Sequence, residues 1–190
     1  MEEHSLHGIV VALKANFLYV EIDLQKQDEY KIPLYILDKF KKTSKIRFLS
    51  TCRSKLNYNG KFVKVGDYVL IESIDWNRMR AVVSSIEPRK NFLGRPALAN
   101  INKIFIILSF QKPLFDIEQA TRFLLTAEQT DVEICLILNK SDLLSQNEID
   151  LKIKKILKWG YETIAVSVKT EKGIDTLLDS LMNSSLSVFC

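Results

Sequence analysis

The alternation of apolar and polar positions changes rhythm near residue 90. Before that point the apolar residues come in short runs rich in Val, Ile, Tyr and Phe: HGIVVALKANFLYVEID, EYKIPLYI, KIRFLSTC, VKVGDYVLIESID and MRAVVSSIE. Gly66 and Asp67 supply a turn before the run Tyr68 to Ile71, and Asp75 to Asn77 separate that strand from the next. About five short strands in a segment of this size predict a small barrel of the OB type, with an SH3-like barrel as the nearest competitor. EPRKNFLGRPALAN then interrupts the pattern with Pro88, Gly94 and Pro96 and turns polar with Arg89, Lys90 and Arg95. This predicts a barrel over 1–88, a linker over 89–98 and a second domain over 99–190.

In the second domain buried-type strands alternate with helical spacing. NKIFIILSF, EICLILNKSD and TIAVSVKT read as strands, and FDIEQATRFLLTAEQT, NEIDLKIKKILKWG and GIDTLLDSLMNS as helices. Ile149, Ile153, Ile156 and Leu157 share one helical face, and Gly160 is a stop signal. Such alternation predicts a parallel sheet with helices on its faces. SLSVFC reads as one further strand.

Composition narrows the class. With 47% hydrophobic and 26% charged residues the chain is a globular protein rather than a disordered one. Its longest strongly apolar run, Ile104 to Leu108 extended to Phe110, is far short of the roughly 20 residues of a membrane helix. The start Met1, Glu2, Glu3, His4 lacks signal- or transit-peptide features, so a cytoplasmic location is expected, or a plastid stroma if the protein is organellar. Cys52, Cys135 and Cys190 form no CxxC pair, which points away from disulfides and zinc, and Cys135 in EICLIL reads as a small buried hydrophobe. Charge divides unevenly. Residues 1–98 carry 17 Lys+Arg against 11 Asp+Glu and residues 99–190 carry 10 against 12, so the two halves are expected to meet different partners.

The chemistry concentrates in two loops. Asn139, Lys140, Ser141 and Asp142 form an NKxD tetrapeptide directly after the buried strand ICLIL, at the strand end where open α/β sheets bind ligands. Ser167, Val168 and Lys169 begin 28 residues after Asn139, again at the end of an apolar strand, the spacing and placement of the second guanine-binding loop of GTPases. A carboxylate at Asp142 accepts two hydrogen bonds from the N1 and N2 edge of guanine, whereas adenine leaves it unpaired. Asn139 can tie the loops together, the stem of Lys140 can cover the base with its charge in water, and the Val168 N–H can reach guanine O6. The plain alternative is an NK turn, a helix-capping Asp142 and a solvated Lys169. No GxxxxGK[ST] phosphate loop precedes NKxD, and the GK at Gly60 and Lys61 lacks the first glycine.

These motifs, together with GIVVALKANFLYVE, EPRKNFLGRPALANINKIFIILSFQKP, LILNKSDLL and VSVKTEKGIDTLL, resemble the ribosome small-subunit-dependent GTPases called RsgA or YjeQ. The resemblance covers essentially the whole chain. It implies an OB-fold barrel followed by an incomplete, circularly permuted P-loop GTPase domain in which the guanine-reading motifs precede the phosphate loop. It also implies binding of GTP and GDP, partnership with the small (30S) ribosomal subunit and its 16S rRNA, and GTP hydrolysis during late subunit maturation, by a protein expected to be a monomer. SLSVFC is then the strand leading into the phosphate loop. The loop itself, the Mg²⁺-binding segments and the Zn²⁺ knuckle of the full-length family have no counterpart in these 190 residues, so no catalytic residue is nominated and no turnover is expected. Val168 departs from the family's usual alanine, at a position whose backbone is expected to make the contact.

The barrel's candidate RNA surface is the stretch from Lys39 to Lys64, which holds Lys39, Lys41, Lys42, Lys45, Arg47, Arg53, Lys55, Lys61 and Lys64 and no acidic residue. Phe40, Phe48, Tyr58 and Phe62 are interleaved as candidates for base stacking, with core packing as the alternative for each. Trp76 and Trp159 read as packing residues, and His4 and His7 as part of a loose start. A rival reading is a non-enzymatic RNA-binding barrel with a vestigial nucleotide-binding domain. A metabolic α/β enzyme using Asp142 as a base lacks any accompanying His or nucleophile.

Overall fold

The computed structural model describes residues 5–28, 31–54, 56, 62–114, 116–184 and 186–190. Its contacts divide the chain into two compact units, Met1–Asn100 and Ile101–Cys190. Among the described residues no helix is long and apolar enough to cross a membrane.

The first unit is a closed five-stranded barrel. Its strands are β1 (Leu6–Lys14), β2 (Phe17–Asp23), β3 (Lys45–Cys52), β4 (Tyr68–Asp75) and β5 (Arg80–Ile86), in the order β1-β2-β3-β5-β4 with β4 closing onto β1. The β3–β5 pair is parallel and the others are antiparallel, an arrangement of the OB type. Alternation along β3 sends Ile46, Phe48 and Ser50 inward and Lys45 and Arg47 outward, the period of two that the pleat imposes. Phe48 meets Leu6, Val20, Ile22, Val69, Ile71 and Val83 in one core.

The strand count comes out as expected by a different route. HGIVVALKANFLYVEID is two strands, because the chain turns at Ala15 and Asn16 and pairs β1 with β2 in a hairpin. The described part of EYKIPLYI, from Lys31 on, is not a strand. From Leu34 it runs as a short helix, α1 (Leu34–Lys39), with Pro33 in the capping position. Proline has no N–H to donate to a ladder and its fixed φ suits a helix start; Ile32 just before it and Ile36 within the helix are both buried in the barrel core.

The segment expected to be a linker is instead built onto the barrel. It forms β6 (Phe92–Leu93) and β7 (Leu98–Ala99), a two-stranded hairpin whose Leu93 and Ala99 are buried. Ala99 N–H donates to Val65 O (2.9 Å), and the Asn100 side-chain amide to Gly66 O (2.9 Å). Arg89 clasps the fully buried Asp67 with two nitrogens, at 2.7 and 2.9 Å. Sequence polarity suggests exposure, but Arg89 and Asn100 of this segment are spent on barrel contacts.

The second unit is a parallel sheet in the order β10-β9-β8-β11, comprising β8 (Lys103–Ser109), β9 (Glu133–Asn139), β10 (Glu162–Ala165) and β11 (Ser187–Phe189). Helices α2 (Ile117–Glu128), α3 (Gln146–Leu157) and α4 (Ile174–Met182) connect them. Each helix start is specified locally. Asp116 accepts from Glu118 N–H (2.9 Å) and Gln119 N–H (3.2 Å), and Ser145 with Glu148 forms a capping box that also holds the Glu148 carboxyl below its usual pKa. α4 begins at Gly173, whose φ of +77° suits glycine and whose missing Cβ would lie 2.2 Å from Ala165 O. Ile174, Leu177 and Leu181 pack on Phe105, Cys135, Ile137, Ile164 and Val166. Cys135 is the buried hydrophobe expected, its thiol pushed up to about 12 chiefly by burial.

Candidate functional site

β9 and β10 are parallel neighbours, so their carboxyl ends deliver the two motif loops side by side. β9 ends at Asn139, where Lys140 turns left-handed (φ 66°) into a single 3-10 turn, Ser141–Leu143, that carries Asp142. The chain leaving β10 stays bound to β9 through Val166 N–H to Leu138 O (2.9 Å), while Ser141 N–H returns to Val166 O (3.0 Å). Ser167 is then fully buried, with its N–H on Lys172 O (2.9 Å).

Two side-chain contacts join the motif loops, each beside a bond within its own loop. Ser167 Oγ donates to Asp142 Oδ1 (2.6 Å) and accepts from Thr170 N–H (3.2 Å). Asn139 Oδ1 accepts from Lys140 N–H (2.7 Å) and, at the long end of hydrogen-bond range, from Val168 N–H (3.4 Å). Asp142 Oδ2 takes no hydrogen bond from the described residues, so a carboxylate oriented by Ser167 keeps an oxygen facing outward. Val168 and Lys169 are exposed.

Two placements depart from expectation. The Lys140 ammonium donates to the Lys112 carbonyl rather than standing in water. Ser141 is 3% exposed and contributes its backbone, with a side-chain oxygen that is buried and unpartnered. The first placement identifies a loop that sequence reasoning missed. The residues after β8 join the NKxD turn through Lys112 O and through Phe110 N–H to Asn139 O (3.1 Å). The one signal for it was position, since Lys112 follows the carboxyl end of a central parallel strand.

The basic stretch of the barrel is less uniform than its letters. Lys55, Lys61 and Tyr58 lie outside the described residues. Of the others, Lys41 pairs with Asp38 (2.8 Å), which raises its pKa; Lys45 (3.4 Å) and Arg47 (2.9 Å) share Glu21; and Arg53 pairs with Glu72 (2.6 Å). The charges are therefore partly compensated, because strand pairing brings in carboxylates from outside the stretch, as in the Glu21↔Arg47 register of β2 and β3. Lys39 lies over the Phe40 ring, and Lys42 and Lys64 are the remaining described cations. Phe48 is a fully buried core residue, edge-on to Trp76 with centroids 5.3 Å apart, and offers no face to a base, while Phe40 is partly buried against the same core. Phe62 is 63% exposed. Among the described residues no group of three His, Cys, Asp or Glu side chains is placed to hold a metal ion. The Mg²⁺ and Zn²⁺ of the resemblance therefore find no donor set here, and no chemistry is assigned through them.

A closed OB-type barrel followed by a parallel sheet whose amino-terminal strands carry NKxD is the fold of the circularly permuted GTPases. The crystal structure of YjeQ from Thermotoga maritima matches with a TM-score of 0.77 at 23% identity, over 98% of this chain and 60% of that one. The structure of YloQ, described as a circularly permuted GTPase, matches with a TM-score of 0.74 at 22% identity and the same coverage. The family model described as RsgA GTPase matches residues 86–190, and the chain belongs to that family. The small ribosomal subunit biogenesis GTPase RsgA of Prochlorococcus marinus strain NATL1A is 49% identical over 98% of this chain, and that of strain MIT 9303 is 40% identical over 100%. The chain spans 58% of the length of each.

Proposed function

We propose that this chain supplies the guanine-reading and RNA-binding parts of a small-subunit biogenesis GTPase. The unit Ile101–Cys190 binds GTP or GDP by the base, and the barrel, over roughly its first 88 residues, docks on 16S rRNA of the 30S subunit. It works as a monomer in the cytoplasm, where subunits mature. The observation that supports this best is the bond between Asp142 and Ser167, which holds a carboxylate and the Val168 amide on one small area at two adjacent strand ends. A guanine edge fits both. N1–H and N2–H donate to the carboxylate, and O6 replaces Asn139 Oδ1 as acceptor for the Val168 N–H, with Asn139 freed to bond the base. The anchored Lys140 stem then forms a wall beside the ring. The phosphate cradle that hydrolysis requires has no counterpart in the sequence, so base recognition without turnover is expected of the 190-residue chain.

Calorimetric titration with GDP, ADP and xanthosine diphosphate tests the base reading. GDP binds in preference to ADP, and Asp142→Asn lowers GDP affinity about 100-fold through loss of two charge-assisted hydrogen bonds. The same variant gains affinity for the xanthine nucleotide, whose O2 accepts from an amide. Equal binding of GDP and ADP by the unsubstituted chain would sink the assignment.

A further inference from the structure

On the outside of the barrel, a groove of about 350 Å³ opens beside the β1–β2 turn. Leu13, Phe17, Leu18, Thr51, Cys52 and Phe62 line it. Its size falls within the range of small-ligand clefts. Phe62 and Phe17 leave 63% and 47% of their surface in water there, beside a half-exposed Leu13. Exposed rings gathered at one concavity mark a surface that is covered in use. Burial has already raised the Cys52 thiol pKa, as expected of an apolar pocket wall.

The charge around the groove indicates what covers it. Its described lining contains no carboxylate, and Lys64 follows the lining residue Val63 in a barrel segment, residues 1–98, that carries 17 Lys+Arg against 11 Asp+Glu. An open concavity with two exposed rings on a net-basic barrel fits an unpaired nucleobase, whose π-face lies on the rings and whose phosphates meet the basic surface. An apolar protein segment would leave the polar side chains of the lining, Asn16 and Thr51, without partners. Asn16 and Thr51 add hydrogen-bonding groups for a base edge.

Phe62 is also held in place from behind. Arg89 Nη2 donates to Phe62 O (2.8 Å), while the same guanidinium is fixed by the buried Asp67 and lies over the Phe92 ring. Asp67 in turn accepts from Lys64 N–H (2.7 Å), two residues beyond Phe62. This clasp sets the backbone on both sides of Val63.

We infer that the groove is the receptor for one unpaired nucleobase of the bound RNA, stacked on Phe62 and Phe17, and that the Asp67–Arg89 pair is a positioning device for Phe62. The inference rests on the RNA-binding reading of the barrel and narrows it to single-stranded RNA at one place.

Fluorescence anisotropy with the full 190-residue chain tests it, using a labelled oligouridylate and an RNA duplex of equal length across a salt series. Phe62→Ala and Phe17→Ala each weaken oligouridylate binding about tenfold, leave duplex binding unchanged and do not alter the slope of log affinity against log salt. Phe62→Trp retains binding, and Arg89→Lys, which cannot span Asp67 and Phe62 O with a fork, loses part of it at unchanged slope. Both rings lie outside the core, and an unchanged far-ultraviolet circular dichroism spectrum and urea midpoint confirm that the variants fold. If the unsubstituted chain binds RNA with a salt slope but the ring variants bind equally well, or lose duplex and single strand alike, the groove serves another purpose and the inference is wrong. If the unsubstituted chain binds neither RNA, the RNA reading itself fails and takes the inference with it.

Discussion

The barrel and the α/β unit manage their polar groups in opposite ways. In the barrel, cations stand on the outer face of β3 and lean on carboxylates of neighbouring strands, with Lys45 and Arg47 more than half exposed. In the α/β unit, the polar groups that matter are drawn in at two strand ends, where buried Ser167 bonds both a side chain and the loop backbone. The first arrangement is a field, screened by salt, in which one charge more or less changes little. The second is a constellation, in which a displaced partner of the fully buried Ser167 hydroxyl is felt because no water reaches that hydroxyl to replace it. Affinity for a polyanion suits the field, and discrimination between two purines suits the constellation.

If the two regions are separate cores, the largest single losses should stay where they are made. Phe48→Ala empties the centre of the barrel and is expected to cost about 3–5 kcal/mol. Each unit carries one tryptophan, so urea unfolding can be followed through Trp76 in a Trp159→Phe background and through Trp159 in the converse one. The Trp76 midpoint falls and the Trp159 midpoint holds. Equal shifts at both reporters would show one cooperative unit and dissolve the comparison.

Gly173→Ala makes the complementary test in the α/β unit. A Cβ there meets Ala165 O in a left-handed backbone, for an expected cost of about 2–3 kcal/mol. The displaced carbonyl belongs to the strand end that carries Ser167. GDP affinity should therefore drop together with the Trp159 midpoint, while RNA affinity holds. Ser167→Ala is gentler. Alanine fits the buried position, but Asp142 and the Thr170 N–H each lose a partner, and GDP affinity is expected to fall about tenfold with little change in midpoint.

The same contrast explains what was legible in the residues. NKSD and SVK are contiguous, each follows an unbroken apolar run, and parallel strand pairing makes run ends converge, so Asn139, Asp142 and Ser167 could be placed before any coordinates. The sheet's strands and helices followed from the same periodicities. The Lys112 carbonyl could not be placed, because any residue supplies a carbonyl. On the barrel the neighbours that matter are set by register across strands. Glu21 neutralises Arg47 although 26 positions separate them, and no reading of the stretch from Lys39 to Lys64 contains Glu21. The Arg89 segment was misread for a related reason, since its polarity is answered by a buried Asp67 that local composition does not reveal.

The smallest expected effect asks most directly whether the barrel acts as a field. Glu21 is largely covered and sits between Lys45 and Arg47, holding both. Glu21→Gln keeps the shape and leaves an oxygen for Arg47, but removes the charge that competes with phosphate for the two cations. A surface that recruits RNA by charge should bind more tightly for losing a carboxylate, by about two- to fivefold near physiological salt, with a salt dependence steeper by roughly one phosphate contact. Lys45→Ala should shift both quantities the other way. Stability should change little in either case, because exposed pairs contribute at most about 1 kcal/mol. Unchanged RNA affinity in the glutamine variant would mean that Lys45 and Arg47 face the RNA no more closely than the rest of the surface does, and the cations of β3 would then be barrel structure rather than binding site.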